Sequence, residues 1–271
     1  MSGLSDTSPE AQRVLTDAYR TMSPARKLRL IGQEFRLARS FFESGFRGRN
    51  PGAPGSAARD AWGAMILSPS LWNEAKRGTL MDGDIEPIEV IRKVVSVFES
   101  LGLPYAIGGS WASSLYGQAR MTRDADLSVE PFAGREQLLV QQFDSDYYVS
   151  IDAARAANRE RSTFNIIHVP SAFKVDVFVM KSIGYDRSLM SRRTAGASDR
   201  LFWVTPEDIV LLKLRWYRLG NEISDRQWSD ILGVLRTQAG RLDETYLDRW
   251  AAELGVADLW ERIRAEAAPA E

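Results

Sequence analysis

Leu103 to Ile107 reads as a short apolar strand, and it runs straight into Gly108-Gly109-Ser110. That junction limits what the chain can fold into more than any other feature. Two glycines let the backbone turn tightly and let another group come close. A helix is predicted over 111–116, with Ser110 placed as its N-cap. Backbone N–H groups at such a helix start form a ready anion site. After Ser110 and thirteen intervening residues comes Asp124-Ala125-Asp126, at the head of a second predicted strand, 124–129. Strand side chains alternate, so both carboxylates belong to one face. There they repel each other unless a cation lies between them.

A third carboxylate sits in another predicted strand, 173–180, joined to the strand 164–169 by Pro170-Ser171. Val175, Val177 and Val179 belong to its core face. Asp176 belongs to the other face, with Lys174 and Phe178. A carboxylate in an apolar strand is costly unless it is paired or metal-bound. A phosphate cradle beside a divalent-metal clamp is the equipment for phosphoryl or nucleotidyl transfer.

Composition narrows the metal. The chain of 271 residues has no cysteine and one histidine, His168. That excludes disulfides, thiolate zinc, iron–sulfur clusters, a cysteine nucleophile and any multi-histidine site. A catalytic cation must then be held by carboxylates, which suits Mg²⁺ or Mn²⁺. Basic and acidic residues nearly cancel, 35 against 36, so no basic coat covers the whole chain. Residues 13–49 are locally different, with nine Arg/Lys and three acids, a net of +6. No apolar run approaches the roughly 20 residues of a membrane span. The first residues lack the apolar stretch of a signal peptide, and a cytoplasmic location is expected.

The order of elements gives an α/β chain in three parts. Residues 1–82 form a helical segment, loose or weakly helical over 1–22. A helix then opens at Ser23-Pro24, carries the stripe Leu28, Ile31, Phe35, Ala38 and Phe42, and ends at Gly45. Asn50 to Gly55 is a loop by composition, and 78–84 reads as a linker. Residues 83–204 hold the strands and a helix from Pro87. Residues 205–271 are helical, with starts at Thr205, Ser224, Asp243 and Val256.

The run Gly108-Gly109-Ser110, Ala112, Gly117, Arg120, Thr122, Asp124, Asp126, Leu127, with Asp176 later, resembles the nucleotidyltransferase superfamily typified by DNA polymerase beta. Within it, the run is similar to the AbiEii/AbiGii-type branch, which includes toxin components of bacterial toxin–antitoxin systems. The resemblance covers roughly residues 85–265. It implies a small mixed β-sheet core with a C-terminal helical subdomain, and the first 80 residues lie outside it as a helical appendage for docking or regulation. It also implies that an NTP is the donor, that Asp124, Asp126 and Asp176 hold the metal and carry catalysis, and that Gly108, Gly109, Ser110 and Lys213 hold the nucleotide. Arg120, Arg123 and Asp230 would be accessory. The branch's Arg-Asp-x-x-Asp-like helix reads here as Arg226-Gln227-Trp228-Ser229-Asp230, and Gln227 departs from it. The acceptor implied is RNA, such as a tRNA end, or a protein side chain, with an antitoxin-like partner.

Two other functions fit the same residues: nucleotidylation of a small molecule such as an antibiotic, and an inactive nucleotide- or partner-binding regulator. Several residues also have plainer readings. Asp230 can pair with Arg226 one helical turn away. His168 reads as a satisfied core or sheet-edge histidine. Trp62, Trp72, Trp216, Trp228, Trp250 and Trp260 read as core rather than as stacking platforms. The basic stretch 13–49 reads as a solvated helix face or, alternatively, a surface for RNA or an acidic partner.

Overall fold

The alternation in Phe173–Val179 puts every second side chain in the core, and that strand is an interior strand of the sheet. The structure is a computed structural model and describes residues 9–76, 86–182, 184–196 and 200–268. Four helices come first: α1 (Pro9–Thr21), α2 (Pro24–Arg49), α3 (Ala57–Leu67) and α4 (Pro69–Ala75). Then follow α5 (Pro87–Ser100), β1 (Tyr105–Ile107), α6 (Gly109–Tyr116), β2 (Asp124–Val129), α7 (Glu136–Gln141), β3 (Tyr147–Val149) and α8 (Ile151–Glu160). The hairpin β4 (Thr163–His168) and β5 (Phe173–Val179) leads to α9 (Gly184–Arg192), β6 (Thr194–Ala195) and β7 (Phe202–Trp203). Helices α10 (Pro206–Leu219), α11 (Asp225–Thr237), α12 (Glu244–Glu253) and α13 (Ala257–Ala267) follow.

The seven strands form one mixed sheet in the order β3-β4-β5-β2-β1-β7-β6. β1 and β2 are antiparallel, and β2 and β5 are parallel with Asp126 opposite Asp176. The expected α/β class with a mixed sheet is therefore present. The expected helix starts are also present. Ser23, Thr205, Ser224 and Asp243 each accept a hydrogen bond from a backbone N–H three residues on, which satisfies an otherwise orphaned donor.

Local details refine the expectations. Of the two readings of the first residues, the helical one holds over 9–21, where α1 is tied down from outside: Arg20 donates to the carbonyls of Arg236 and Thr237 at the end of α11. Helix α2 runs through Gly45 to Arg49. Glu43, paired with both Arg39 and Arg47 at one-turn spacing, braces the helix across that glycine. Helix α9 and the short β6 carry no periodic apolar signal in sequence. The linker expected over 78–84 lies outside the described residues.

The stripe on α2 is not a free docking face. Leu28, Ile31 and Phe35 belong to the same apolar core as α5 and β5. The Phe35 ring stands edge-on to Phe173 of β5 at 5.4 Å and to Trp62 at 5.8 Å. Nor is the basic stretch a free cationic strip. Arg36 pairs with Glu86, Arg39 and Arg47 with Glu43, and Arg20 with α11. Lys27 is buried, and its ammonium donates to the Leu115 and Gly117 carbonyls at 2.8 and 3.3 Å. Those carbonyls lie at the C-terminus of α6, where the helix dipole favours a cation. The C-terminal helices share the core in the same way. α10 and α11 pack on α6, and a Cβ on Gly117 would come within 2.9 Å of the backbone of Gly233.

Burial brings Lys27 down from 10.5 to about 8. Between those values the unfolded chain carries a proton that the folded chain lacks. Stability should therefore rise as pH rises from about 8 to about 10.5. Lys27→Met should flatten that rise. Urea melts of both proteins at pH 7.5 and 10 measure it, and equal pH slopes would rule out the buried ammonium as its source.

Candidate active site

The β1–α6 turn and strand β2 meet at one point. The Gly108 N–H donates to the Asp126 carbonyl at 2.9 Å. Gly109 follows with φ +55°, and a Cβ there would stand 1.6 Å from Asp126 Oδ2. Only glycine permits both the left-handed backbone and that approach. Helix α6 starts at Gly109, so its N-cap is Gly108 and no side chain caps it. This corrects the capping role expected of Ser110. The Ser110 hydroxyl instead accepts from Arg120 at 2.8 Å.

Asp124 and Asp126 share one face of β2, while Ala125 and Leu127 are buried on the other. The Asp124 end is pinned from two sides. Trp111 Nε1 donates to its carbonyl at 3.0 Å, and Thr122 Oγ1 donates to the same carbonyl at 3.1 Å and to Oδ1 at 3.2 Å. Asp126 is under electrostatic stress. Burial, then the charges of Asp124 and Asp176, push its carboxyl up to about 7, with Lys213 and Lys174 opposing. Burial also raises Asp176, against the pull of Lys174.

The three acids thus feel one another, but they do not form one ligand shell. Asp176 Oδ2 is paired with Lys174 Nζ at 2.7 Å, and Oδ1 accepts from Asn165 Nδ2 at 2.5 Å. Among the described residues no group of three or more histidine or acidic side chains is arranged to hold a metal. A part-buried carboxylate needs a cation, and Lys174, two residues away on the same strand face, is the nearest. Asp124 and Asp126 remain as a hard-oxygen pair whose crowding a divalent cation would relieve.

Across from the acids lies a second network. Arg120 holds Asp230 with two hydrogen bonds of 2.7 Å. Lys213 donates to Asp230 Oδ2 at 2.8 Å and to Gln227 Oε1 at 2.9 Å. Asp230 is therefore not the i, i+4 partner of Arg226. It joins the β1–β2 segment to helices α10 and α11. Burial works against its charge, but Arg120 and Lys213 outweigh burial and hold the carboxyl below the usual range. Burial pulls the Lys213 ammonium down more than Asp230 restores it. Gln227, which departs from the resembled motif, is a direct partner of Lys213. Arg123 is exposed at the start of β2.

A cavity of about 470 Å³ opens from this point, within the usual range for a small-molecule site. Gly108, Gly109, Ser110, Asp126 and Lys213 line one part of it. Phe178, Trp216, Arg161, Lys181 and Arg215 line the remainder. No family model and no curated protein matches the chain. Among solved structures it is similar to ANT(2'')-Ia in complex with adenylyl-2''-tobramycin, at 14% identity over 62% of this chain and 96% of that one, with a TM-score of 0.44. It is also similar to an antigenic nucleotidyltransferase-like protein from Paracoccidioides brasiliensis, at 17% identity over 66% of this chain and 93% of that one, with a TM-score of 0.39. Likeness at that level carries no functional argument, so the chemistry rests on the geometry.

The remaining sequence expectations divide. His168 is buried, shares a 2.7 Å hydrogen bond with Ser171 and packs on Tyr147, and so is a satisfied sheet histidine. Trp62, Trp72, Trp250 and Trp260 are core. Trp216 is not: it is 52% exposed and lines the cavity. Asn165 and Gln227 were not singled out by the sequence as site residues. Asn165 is legible only through the β4–β5 register, which sets it opposite Asp176. No helix among the described residues is long and apolar enough to cross a membrane.

Proposed function

We infer that the protein transfers a nucleotidyl group from an NTP to a nucleophilic acceptor. One observation carries the reading: the Gly109 backbone is pressed against the Asp126 carboxylate at the wall of a cavity, and Asp124 lies two residues before Asp126 on the same strand face. A phosphate seated on the N–H groups of Gly109 and Ser110 would lie next to both carboxylates. Asp124 and Asp126 would hold Mg²⁺ or Mn²⁺, which supplies charge neutralisation on the phosphates when bound. Lys213 adds a fixed positive charge from the opposite wall. Asp176 orients the acceptor hydroxyl and takes its proton. The acceptor oxygen then bonds to the α-phosphorus, the bond from that phosphorus to the bridging oxygen breaks, and pyrophosphate leaves. Four basic side chains and two acidic ones line the cavity, which suits an anionic ligand.

A second reading has its own observation. Each Asp176 oxygen already has a partner, Lys174 or Asn165, as it would in a protein that binds nucleotide without reacting. Both readings predict Mg²⁺-dependent NTP binding, and only the first predicts transfer. Thermal melts test the shared part. An NTP with Mg²⁺ should raise Tm more than the NTP alone, and Asp124→Asn should remove the metal-dependent increment. An unchanged Tm with all four NTPs, in Mg²⁺ and in Mn²⁺, would contradict both.

A further inference from the structure

Trp216 is the largest side chain type available, yet more than half of its surface is open. It is held edge-on to Phe178, ring centroids 6.2 Å apart, and both rings line the cavity that also touches Gly109, Asp126 and Lys213. An apolar ring left open at the wall of a charged cavity lacks a packing reason, since tryptophan normally buries most of its area. Its placement relative to the acids is fixed by the sheet. Phe178 is two residues beyond Asp176 on the same face of β5 and lies opposite Ser128, two residues beyond Asp126. Two residues along a strand is about 6.6 Å, the step that one ribose makes between a phosphate and its base. On the facing helix, Lys213 and Trp216 are three residues apart and repeat the same order, charge then ring.

We propose that Trp216, backed by Phe178, is the stacking platform for the nucleobase of the bound nucleotide. The proposal rests on the reading of the Gly109–Asp126 corner as the phosphate end. The occupant follows from charge and shape together. The cavity lining carries Arg161, Lys181, Lys213 and Arg215 against Asp126 and Asp186, so it favours an anion. The aromatic wall favours a planar ring attached to that anion. Stacking of this kind tolerates all four bases, because each has a π-face. The site should therefore discriminate weakly among NTPs and strongly between an NTP and its bare phosphate chain.

Calorimetric titration of the full chain with ATP, GTP, CTP, UTP and inorganic triphosphate, each with Mg²⁺, tests this. Trp216→Ala should weaken binding of all four NTPs by about 10-fold, the scale for losing one base-stacking ring, and leave triphosphate binding unchanged. Trp216→Phe should restore most of the loss. Trp216→Ala binding NTPs like the wild type would overturn the platform while leaving the phosphate end intact. Equal losses for NTPs and triphosphate would also overturn it, because they would mark a structural role. A wild-type chain that binds neither NTPs nor triphosphate would overturn the site reading itself, and the platform with it.

Discussion

Asp126→Asn should cut nucleotidyl transfer by at least on the order of 10²-fold, the scale for losing one electrostatic partner of a transition state. The metal-free variant should also be more stable than the metal-free wild type at neutral pH. Both effects have one cause. Asp126 is placed in an apolar strand beside Asp124 and Asp176, so its charge costs folding energy that only a bound cation returns. An amide of the same shape removes the repulsion and the function together. Initial transfer rates and Tm, measured on the same preparations, give the two numbers. Loss of activity accompanied by loss of stability would mean that Asp126 holds the strand rather than the nucleotide.

Gly109→Ala should be the most damaging glycine-to-alanine change among the described residues. The new Cβ would lie 1.6 Å from Asp126 Oδ2 and 2.4 Å from its Cγ, at a backbone φ of +55°. The left-handed backbone alone costs an L-residue about 1–2 kcal/mol. The clash must then move either the carboxylate or the start of α6, and a displacement of about 1 Å near reacting atoms can cost on the order of 10²-fold in rate. We expect a stability loss of roughly 1–3 kcal/mol in urea melts and activity lowered by at least as much as in Asp126→Asn. Gly102→Ala is the control, because Gly102 also has a positive φ, +63°, but has nothing within 4 Å of its would-be Cβ. Equal losses in the two variants would show that backbone conformation matters at residue 109 and proximity to Asp126 does not.

The parts of this corner that the sequence displays are those governed by local rules. The period of two along a strand assigns Asp124, Asp126 and Asp176 to their faces, and the structure puts them there. The glycine pair before a helix signals a close approach, and Gly109 makes one. What stays hidden depends on partners far away in the chain. Asp230 meets Arg120 across 110 positions, and no helical period reports that. Lys27 looks like one more charge in a basic stretch until α6 turns its last carbonyls toward it. The N-terminal stripe announces an amphipathic helix but not what it packs on, and the answer, Phe173 of β5, lies 138 residues on. Trp216 is not told apart in sequence from the core tryptophans, since Leu212 and Leu219, one turn away in either direction, are apolar; only the neighbouring cavity separates it from them.

The substitution of Arg26, Lys27, Arg36 and Arg39 together, which the basic stretch suggests as a probe of RNA binding, would give a mixed result. Lys27 is a buried contact to α6, and Arg36 and Arg39 hold acids. Arg26 and Arg29 are the cleaner pair to change.

Where the label goes tests the account most directly. The purified chain is incubated with Mg²⁺ and acceptor pools of total RNA, protein and small molecules, using each NTP labelled either at the α-phosphorus or at the γ-phosphorus. Attack at the α-phosphorus, next to Asp124 and Asp126, predicts label in the acceptor from the α-labelled NTP alone, with the γ-label leaving as pyrophosphate. Transfer of the γ-label, or no transfer of either label by a chain that binds the NTP, would contradict it.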